Sequence, residues 1–451
     1  GEGEGRPKAK ATEEMANMFQ KPDETNERLL SRTVSARSLR ALDALNIFLA
    51  DVRDGVGPYL AIYLLATHQW DPASIGIAMS AMGIATVIAQ TPAGWLIDTL
   101  KQKRLLIVGA ALLVGISCAA ITAVPTLPFI IAAQALNGIA VAVFPPAVAA
   151  ITLGLVGPRR FAVRMGRNEA FNHGGNVAAA AVAGLAGYYL GREWIFYLVA
   201  AIAVASAVSV LFIRETEIDH QLARAAAPTT TSEQKAGGSF LAVLARPELL
   251  LFALAVTLFH FANAAMLPLA GQLLSTGKTT GASLYMSACI IAAQLVMIPV
   301  AALAGTLADR WGRKPVFLIG FAVLPIRGCL YTLSDDPVYI VAVQLLDGIG
   351  AGIFGVLWVT VVADLTKDTG RYNVTLGAIA TAQSIGAALS NLAAGYIVQV
   401  GGYQAGFLSL AGIATLALIL FYWAMPETKD AATYPLIDPI VPALPVGCQE
   451  T

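Results

Sequence analysis

The sequence predicts an all-α polytopic membrane protein with twelve transmembrane helices in two pseudo-symmetric six-helix bundles. Three observations lead to this prediction: the composition, a series of long apolar segments, and an internal repeat. Of the 451 residues, 57% are hydrophobic and only 13% are charged, and the mean hydropathy is +0.68. Because soluble proteins carry about 25% charged residues, a lipid bilayer is the expected environment.

The apolar segments have the length that a membrane helix needs. About 20 residues of helix cross the ~30 Å of hydrocarbon in a bilayer, and most breaks between the segments carry turn-forming or polar residues. Twelve such segments are predicted at 42–66, 73–97, 104–124, 127–153, 168–190, 193–213, 247–273, 280–306, 315–333, 337–363, 373–399 and 403–424.

These segments divide the chain into five parts. The predicted domains are a disordered cytoplasmic tail at 1–40, a first bundle at 41–213, a flexible cytoplasmic linker at 214–246, a second bundle at 247–424, and a cytoplasmic tail at 425–451. The linker prediction depends on a polar stretch rich in Ala, Thr, Ser and Gly.

The basic residues predict the orientation. Lysine and arginine accumulate in the loops after the second, fourth, eighth and tenth segments: Lys101, Lys103, Arg104, Arg159, Arg160, Arg164, Arg310, Arg313, Lys314, Lys367 and Arg371. Cytoplasmic loops of membrane proteins carry this excess of positive charge. We therefore expect both termini on the cytoplasmic side of a cell membrane, either a plasma membrane or a bacterial inner membrane.

The two halves of the sequence repeat each other. GWLIDTL at 94–100 matches GTLADRW at 305–311, and QALNGIAVAVF at 134–144 matches QLLDGIGAGIF at 344–354. A third match joins RFAVRMG at 160–166 with RYNVTLG at 371–377, so all three matches are separated by about 210 residues. A constant separation indicates an internal duplication.

Composition and motifs exclude several other classes. The net charge is zero, which gives no electrostatic reason to expect nucleic acid as a partner. The four cysteines have no spacing typical of a metal site or a disulfide framework, so no metal is expected. No nucleotide-binding GxxxxGK[ST] motif and no HExxH or GxSxG motif occurs, so neither an enzyme nor a cofactor is predicted.

The repeated loop resembles a motif of the major facilitator superfamily. GTLADRWGRK at 305–314 is similar to the loop between the second and third helices of each half in that family, whereas GWLIDTLKQKR at 94–104 is a degraded copy. The resemblance implies a loop that acts as a conformational latch, and two bundles that rock around a site near the membrane midplane. The latch residues are Gly94, Asp98, Gly305, Asp309, Arg310, Gly312 and Arg313. An alternative is that these charges only anchor loops at the membrane surface.

The same resemblance implies a cavity lined by the first and fourth helices of each half. Polar side chains within a membrane are costly unless they face a bundle interior or water, and the deepest ones fall on these four segments. They are Asp51, Arg53, Asp54, Gln134, Asn137, His260, Asn263, Gln344 and Asp347. In one interpretation an aspartate carries a proton and Arg53 binds an anionic solute group. In the other, the charges form a buried network that fixes helix packing, and the amides are interhelical hydrogen bonds.

A second polar cluster lies on the fifth segment. Its members are Arg167, Asn168, Glu169, Asn172, His173 and Asn176, which stand where the second half has mostly apolar residues. Glu169 and His173 are four residues apart and could exchange a proton near physiological pH. A role in coupling or gating is one hypothesis, and the other is that Arg164 and Arg167 are loop residues that satisfy helix ends. Arg327 in the ninth segment is expected to snorkel or to pair locally.

Together these features predict a secondary transporter of a small, polar or anionic organic solute. We expect a monomer in the lipid bilayer that works by alternating access coupled to protons. Of the two directions of transport, export by antiport is slightly favoured over import by symport. Gln134 replaces an arginine of the drug-exporter motif, and the sugar-porter pattern is incomplete, so neither of those subfamilies is favoured. A receptor that binds a small ligand without transporting it is the alternative from another class.

Overall fold

The computed structural model describes residues 34–54, 56–224, 246–276, 281–367 and 372–429, with the side chains of Asp54, Arg224 and Asn373 excepted. The predicted tails therefore lie largely outside the described residues. The helices of the first half are α1 (Ala36–Asp54), α2 (Gly57–His68), α3 (Pro72–Thr99), α4 (Lys103–Ala123), α5 (Leu127–Val141), α6 (Phe144–Tyr189), α7 (Glu193–Leu211) and the short α8 (His220–Arg224). Those of the second half are α9 (Pro247–Ala264), α10 (Met266–Thr276), α11 (Ala282–Trp311), α12 (Arg313–Leu330), α13 (Pro337–Leu365) and α14 (Tyr372–Ala424).

These helices make twelve membrane crossings, as the sequence predicts. Eight stretches of the described chain are long and apolar enough to span a bilayer, and two of them, Leu127–Tyr189 and Val374–Ala424, are 63 and 51 residues long. Each of those two contains two crossings, because α6 is kinked at Gly157 and α14 at Gly402, where φ is +73° and +79°. The helices α1 and α2 together supply one of the remaining crossings, and α12 supplies the other.

Several predicted boundaries differ from the structure. The first helix begins at Ala36, before the predicted tail ends. The fifth crossing begins just after Gly157, because the chain turns there within a single residue instead of the longer loop that we expected. The beginning of the predicted flexible linker is folded: a 3-10 turn (Glu215–Glu217) and α8 pack against α6, and the Asp219 amide donates to the Gly154 carbonyl at 2.9 Å.

The duplication is visible in the packing of equivalent glycines. A methyl group at Gly175 would lie 2.1 Å from the carbonyl oxygen of Ile47, and one at Gly386 would lie 2.2 Å from that of Thr257. Both glycines let the second half of a bundle touch the first helix of the same bundle. Gly191 and Gly402 also correspond, and both adopt positive φ at a turn between two crossings. Glycine tolerates this conformation without steric cost.

The two ends of the molecule differ in charge. We call the end that carries Lys101, Arg104, Arg159, Arg310 and Lys314 the basic end, and the opposite end the far end. At the far end two of the turns begin helices with aspartate caps, since Asp71 accepts from the Ser74 amide and Asp336 from the Tyr339 amide, each at 2.9 Å. An Asp–Pro pair is a strong helix start, because aspartate satisfies a free amide and proline needs none.

Candidate functional site

A buried arginine organises the polar centre of the second bundle. The Arg327 side chain on α12 is only 2% exposed and pairs with the carboxylate of Asp347 on α13. Its second terminal nitrogen donates to Asn263 Oδ1 at 2.6 Å, and the sulfur of Met266 lies 3.2 Å away. The expectation that Arg327 snorkels to the membrane surface is wrong, because a carboxylate and an amide on two neighbouring helices hold it inside the bundle. Local pairing, the other half of that expectation, is what the structure has.

Three predicted cavity residues belong to this network. Gln344 donates to Asp347 Oδ2 at 2.9 Å and accepts a hydrogen bond from the Tyr331 hydroxyl. The Asp347 carboxylate therefore receives donors from both α12 and its own helix. A small recess opens beside the pair and is lined by Phe259, Asn263, Arg327, Asp347, Gly350 and Ala351 among others.

The equivalent residues of the first bundle carry no charge. Gln134 and Asn137 on α5 are buried, and Asn137 donates to Gln134 Oε1 at 3.2 Å and to Cys118 Sγ at 3.7 Å. These contacts join α5 to α4, so the amides tie neighbouring helices together. The duplicated positions thus hold Gln and Asn in one half and Gln and Asp in the other.

Asp51 places a carboxyl group in the first bundle. It lies on α1 within electrostatic range of the Cys118 thiol and the Tyr59 hydroxyl. The partly exposed positions of this helix recur as Ala44, Ile47 and Asp51, and residues three or four apart share a helix face. Asp51 therefore lies on the less covered face of α1.

Arg53 and Asp54, the other two charged residues predicted on this helix, form no described ion pair with Asp51. Arg53 is half-buried, and helical geometry places it on the side of α1 away from Asp51. Among the described residues no carboxylate lies within ion-pair distance of Arg53. The side chain of Asp54 lies outside the described part of the chain.

His260 packs among aromatic rings. Its Nδ1 donates to the Val256 carbonyl at 3.0 Å, and this bond assigns the proton to Nδ1 because a carbonyl oxygen can only accept. The imidazole lies edge-on to Phe354, with ring centres 4.7 Å apart, and also contacts Phe259. The structure does not bring His260 to the Arg327 network.

Asp43, which the sequence did not single out, holds another charged cluster. It is buried on α1 and pairs with Arg164 at 2.7 Å and Arg167 at 2.8 Å. Arg164 also donates to Asn168 Oδ1 at 3.0 Å, and Asn168 donates to the Thr152 hydroxyl at 3.0 Å. The alternative that these arginines are loop residues is wrong, since both lie within α6. A lone acid near the start of the first apolar segment gave no signal of this partnership.

The bundles meet along α6 and α11, and this interface widens toward the basic end. At the far end a methyl group on Gly184 would lie only 2.2 Å from Ser287 Oγ. In the middle, His173 Nδ1 and Gln294 Oε1 are 2.9 Å apart. Closer to the basic end Glu169 is exposed, and a methyl group on Gly166 would meet nothing within 4 Å. Asn172 and Asn176 are half-buried on the same helix.

The interface between α3 and α14 repeats this pattern. A methyl group on Gly76 would lie 2.4 Å from the Asn391 carbonyl oxygen at the far end, and Gln90 donates to Ser384 Oγ at 3.2 Å in the middle. Beyond Gln90, methyl groups on Gly94 and Gly377 would meet nothing within 4 Å. Both interfaces are therefore tight at the far end, hydrogen-bonded in the middle and open at the basic end.

Further contacts close the far end. The Tyr59 hydroxyl lies 2.6 Å from Ser287 Oγ. Ser287 donates its own proton to the Ser283 carbonyl at 3.0 Å, so Tyr59 is the donor. This bond joins the first helix pair of one bundle to α11 of the other.

The second latch loop is a network of charges at the basic end. Arg313 pairs with Asp309 on α11 and with Asp364 on α13, at 3.2 Å in the second case. Glu427 accepts from the amides of Arg313 at 2.8 Å and Lys314 at 3.1 Å, which are the first amides of α12. An anion at a helix N-terminus is favourable because the amides and the helix dipole point toward it. Gly312 precedes them with φ +103°, and Arg310 is exposed.

The first latch loop is built differently. Lys103 is buried and donates to the carbonyls of Ile97 at 2.6 Å and Leu100 at 2.9 Å, so it caps the end of α3. Arg104 pairs with Glu215, which follows the sixth crossing as Glu427 follows the twelfth. Asp98 and Gly94 are partly buried near the end of α3.

Comparison with known proteins decides the family. The model of the Major Facilitator Superfamily matches residues 44–307 and 290–442. The chain belongs to the major facilitator superfamily. It is 52% identical to an uncharacterized MFS-type transporter of Mycobacterium tuberculosis (strain ATCC 25618 / H37Rv) over 88% of this chain and 95% of that protein.

Two solved transporters of the superfamily share the fold. A mutant of the nucleoside transporter NupG superposes with a TM-score of 0.72 at 18% identity and covers 85% of this chain and 99% of its own. The inward-open conformation of the xylose transporter XylE from E. coli superposes with a TM-score of 0.65 at 12% identity, covering 87% of this chain and 97% of its own. This protein is thus an integral membrane transporter of the superfamily.

Proposed function

We propose that this transporter moves a small, polar or anionic organic solute by alternating access coupled to protons. The observation that carries the proposal is a wedge-shaped gap between the bundles, which we call the wedge. Both bundle interfaces, α6–α11 and α3–α14, are tight at the far end and open at the basic end. Two bundles with bistable interfaces can rock around a central site so that either end opens in turn.

The central polar residues support a charged or polar solute. Arg327 and Asp347 form an ion pair inside a membrane helix bundle, where isolated charges are expensive and are retained mainly for function. A guanidinium suits carboxylate and phosphate groups because its parallel donors match two oxygens. In the proposed cycle an anionic solute group competes with Asp347 for Arg327, and Asp347 is the first candidate proton carrier.

Asp51 is the second candidate proton carrier. It lies on the less covered face of α1 and within electrostatic range of Tyr59, which donates across the bundle interface to Ser287. A change in its charge would therefore act close to a contact that must break when the far end opens. Of the remaining predicted cavity residues, Gln344 would hold Asp347 in position by its hydrogen bond, and Asn263 would hold its partner Arg327. Gln134 and Asn137 bond to each other and would support the helix packing of the first bundle.

The basic residues support a cytoplasmic location of the basic end and of both termini. With that orientation the structure is open on the side from which an exporter loads its solute, and we propose export by proton antiport. Import by proton symport is the alternative, and the transporter is proposed to act as a monomer in the cell membrane.

Untargeted small-molecule profiling of cells and medium tests this function. It compares wild type, an Asp347→Asn variant, an Asp51→Asn/Asp54→Asn double variant and cells without the protein, with membrane levels of each variant matched. A solute enriched in the medium only with wild type establishes export and names the solute class, whereas depletion from the medium with gain by the cells establishes import. Identical profiles in all strains would contradict the transport proposal and favour a receptor.

A further inference from the structure

One face of α6 runs along the whole wedge between the bundles. Glu169, His173 and Gly184 share this face, because four and eleven residues are close to whole numbers of helical turns. Gly184 touches Ser287 of α11 and His173 lies at hydrogen-bond distance from Gln294 of α11. Glu169 lies one turn closer to the basic end and is exposed. Among the described residues its carboxylate has no hydrogen-bond or ion-pair partner.

The antiparallel pairing of the two helices shows what Glu169 would meet if the basic end closed. Gly184 lies opposite Ser287 and His173 opposite Gln294, so one further turn places Glu169 opposite Ile298. Ile298 is 50% exposed in the open wedge. Closure would therefore press a carboxylate against an isoleucine side chain, and an apolar contact of this kind disfavours the charged form.

Among the described residues, α11 and α1 bring no unpaired charged group to the stretch between Glu169 and Ile298 that would offset this effect. On α11 the side chains that can ionise nearest to Ile298 are Cys289 toward the far end and Asp309 and Arg310 at the basic end. Asp43 of α1 is engaged by Arg164 and Arg167, which lie on other faces of α6. His173, one turn away on the same face, is the titratable neighbour of Glu169.

The equivalent interface, between α3 and α14, has no carboxylate at the corresponding position. The position that corresponds to Glu169 in the second bundle is Ala380 on α14, and the position that corresponds to His173 is Ser384, which bonds to Gln90. Near Ala380 the surfaces that would meet on closure carry the small residues Gly94 and Gly377. At this position, therefore, α6 presents a carboxylate to the closing surface and α14 presents only a methyl group.

We propose that Glu169 is a proton-dependent gate of the basic end: its carboxylate binds one proton from the basic side before that end closes, and returns the proton to the basic side when that end reopens. The proton changes the carboxylate to a neutral carboxylic acid, and His173 is the nearest base that can accept it on release. This inference rests on the proposed alternating access, and it places a proton-dependent gate on the bundle interface, separate from the proton carriers proposed at the centre of the bundles.

The test measures the width of the wedge rather than transport, because it needs no known solute. Spin labels are attached at Val163→Cys on α6 and Leu303→Cys on α11, which are 81% and 59% exposed, after the four native cysteines are replaced by serine. Distances between the labels are recorded in the full-length protein in lipid at pH values from about 8 to about 5.5, a range in which a carboxylate in an apolar contact can titrate.

Three further variants give the comparison. Glu169→Gln keeps the side-chain shape and is neutral at every pH. Ala380→Glu places a carboxylate at the equivalent position of the other interface. Gly184→Val forces the far end apart, because even a methyl group there would lie 2.2 Å from Ser287 Oγ, and so favours closure of the basic end without protonation. Folding of each variant is checked by monodispersity and thermal midpoint.

We expect the wild-type protein to gain a short-distance population as the pH falls, and Glu169→Gln to show that population at both ends of the pH range. Ala380→Glu should require a lower pH for the same closure. The proposal is overturned if the wild-type distance does not respond to pH, or if Glu169→Gln keeps the wild-type response. In either case alternating access still stands, provided that Gly184→Val shortens the distance. If Gly184→Val also leaves the distance long, alternating access itself is contradicted.

Discussion

Arg327 and Asp347 form an ion pair between α12 and α13 at the centre of the second bundle, with the arginine side chain 2% exposed. The pair is completed by Asn263 from α9 and Gln344 from α13. Three helices of one bundle are therefore joined by a single guanidinium. Such a network is costly to form in a membrane and costlier to break, because a lone buried charge has no solvent to stabilise it.

Removing the two partners should have unequal effects. Asp347→Asn leaves Arg327 charged, since arginine does not lose its proton in proteins, and should lower the free energy of unfolding by about 3–5 kcal/mol. Arg327→Met should cost less, because an isolated Asp347 can neutralise itself by binding a proton. Thermal midpoints in one detergent measure both. The Arg327→Met/Asp347→Asn double variant should be more stable than Asp347→Asn alone, and equal stability would contradict a coupled pair.

The two arginines that share Asp43 give a matched comparison. Arg164 is buried and also donates to Asn168 and to the Leu39 carbonyl, so Arg164→Met leaves one buried and one partly buried acceptor without their donor. We expect a loss of about 1–3 kcal/mol in the free energy of unfolding. Arg167 is 57% exposed, and Arg167→Met should leave the thermal midpoint close to that of wild type. A larger effect at Arg167 than at Arg164 would show that the cluster is held together from its exposed side.

The sequence predicted the fold well because its evidence is periodic and repeated. Segment length, basic loops and the matched motifs each report on the bilayer or on the duplication. The break predicted between residues 399 and 403 contains the kink at Gly402, whereas the kink at Gly157 was harder to place. One glycine with positive φ can turn the chain between two crossings, and no polar loop is needed to mark it.

Partnerships across helices were less predictable. The repeat of Gln134 and Asn137 as Gln344 and Asp347 located the polar centre of each bundle. Nothing in the sequence joined Arg327 to Asp347, because the residues of the ninth segment that face inward cannot be told from those that face lipid. Asp43 was missed for a related reason, since its arginines follow more than a hundred residues later.

Equivalent glycines should respond to substitution in the same way in both bundles. Gly175→Ala and Gly386→Ala would each push a methyl group to about 2 Å from a backbone carbonyl oxygen, and backbone cannot move aside as a side chain can. Both variants should lower the thermal midpoint and the yield of monodisperse protein. Gly166→Ala and Gly377→Ala are the controls, since a methyl group at either would meet nothing within 4 Å. A milder effect at Gly175 than at Gly166 would contradict this packing.

The aspartate cap of α3 should make a small, pH-dependent contribution to stability. Hydrogen bonds from the Ser74 side chain and amide lower the pKa of Asp71 below its ordinary value of 3.8. A carboxylate with a lowered folded-state pKa stabilises the fold above that ordinary value, and the contribution is lost as the pH falls through the folded-state pKa. Asp71→Ala should therefore cost about 1 kcal/mol at neutral pH. Thermal midpoints of the two proteins should converge as the pH falls below the ordinary value of 3.8 and through the lower folded-state pKa, and a constant difference would exclude the charge as the cause.

The most direct test of alternating access is to lock the far end closed and measure transport. Tyr59 and Ser287 lie on different bundles with their hydroxyl groups 2.6 Å apart, so Tyr59→Cys and Ser287→Cys can be joined by a short reducible crosslinker. The flux of the solute found by profiling should then stop, and a reducing agent should restore it, while either single variant treated identically keeps its flux. If the crosslinked protein still transports at the uncrosslinked rate, the far end does not need to open and the rocking mechanism is contradicted.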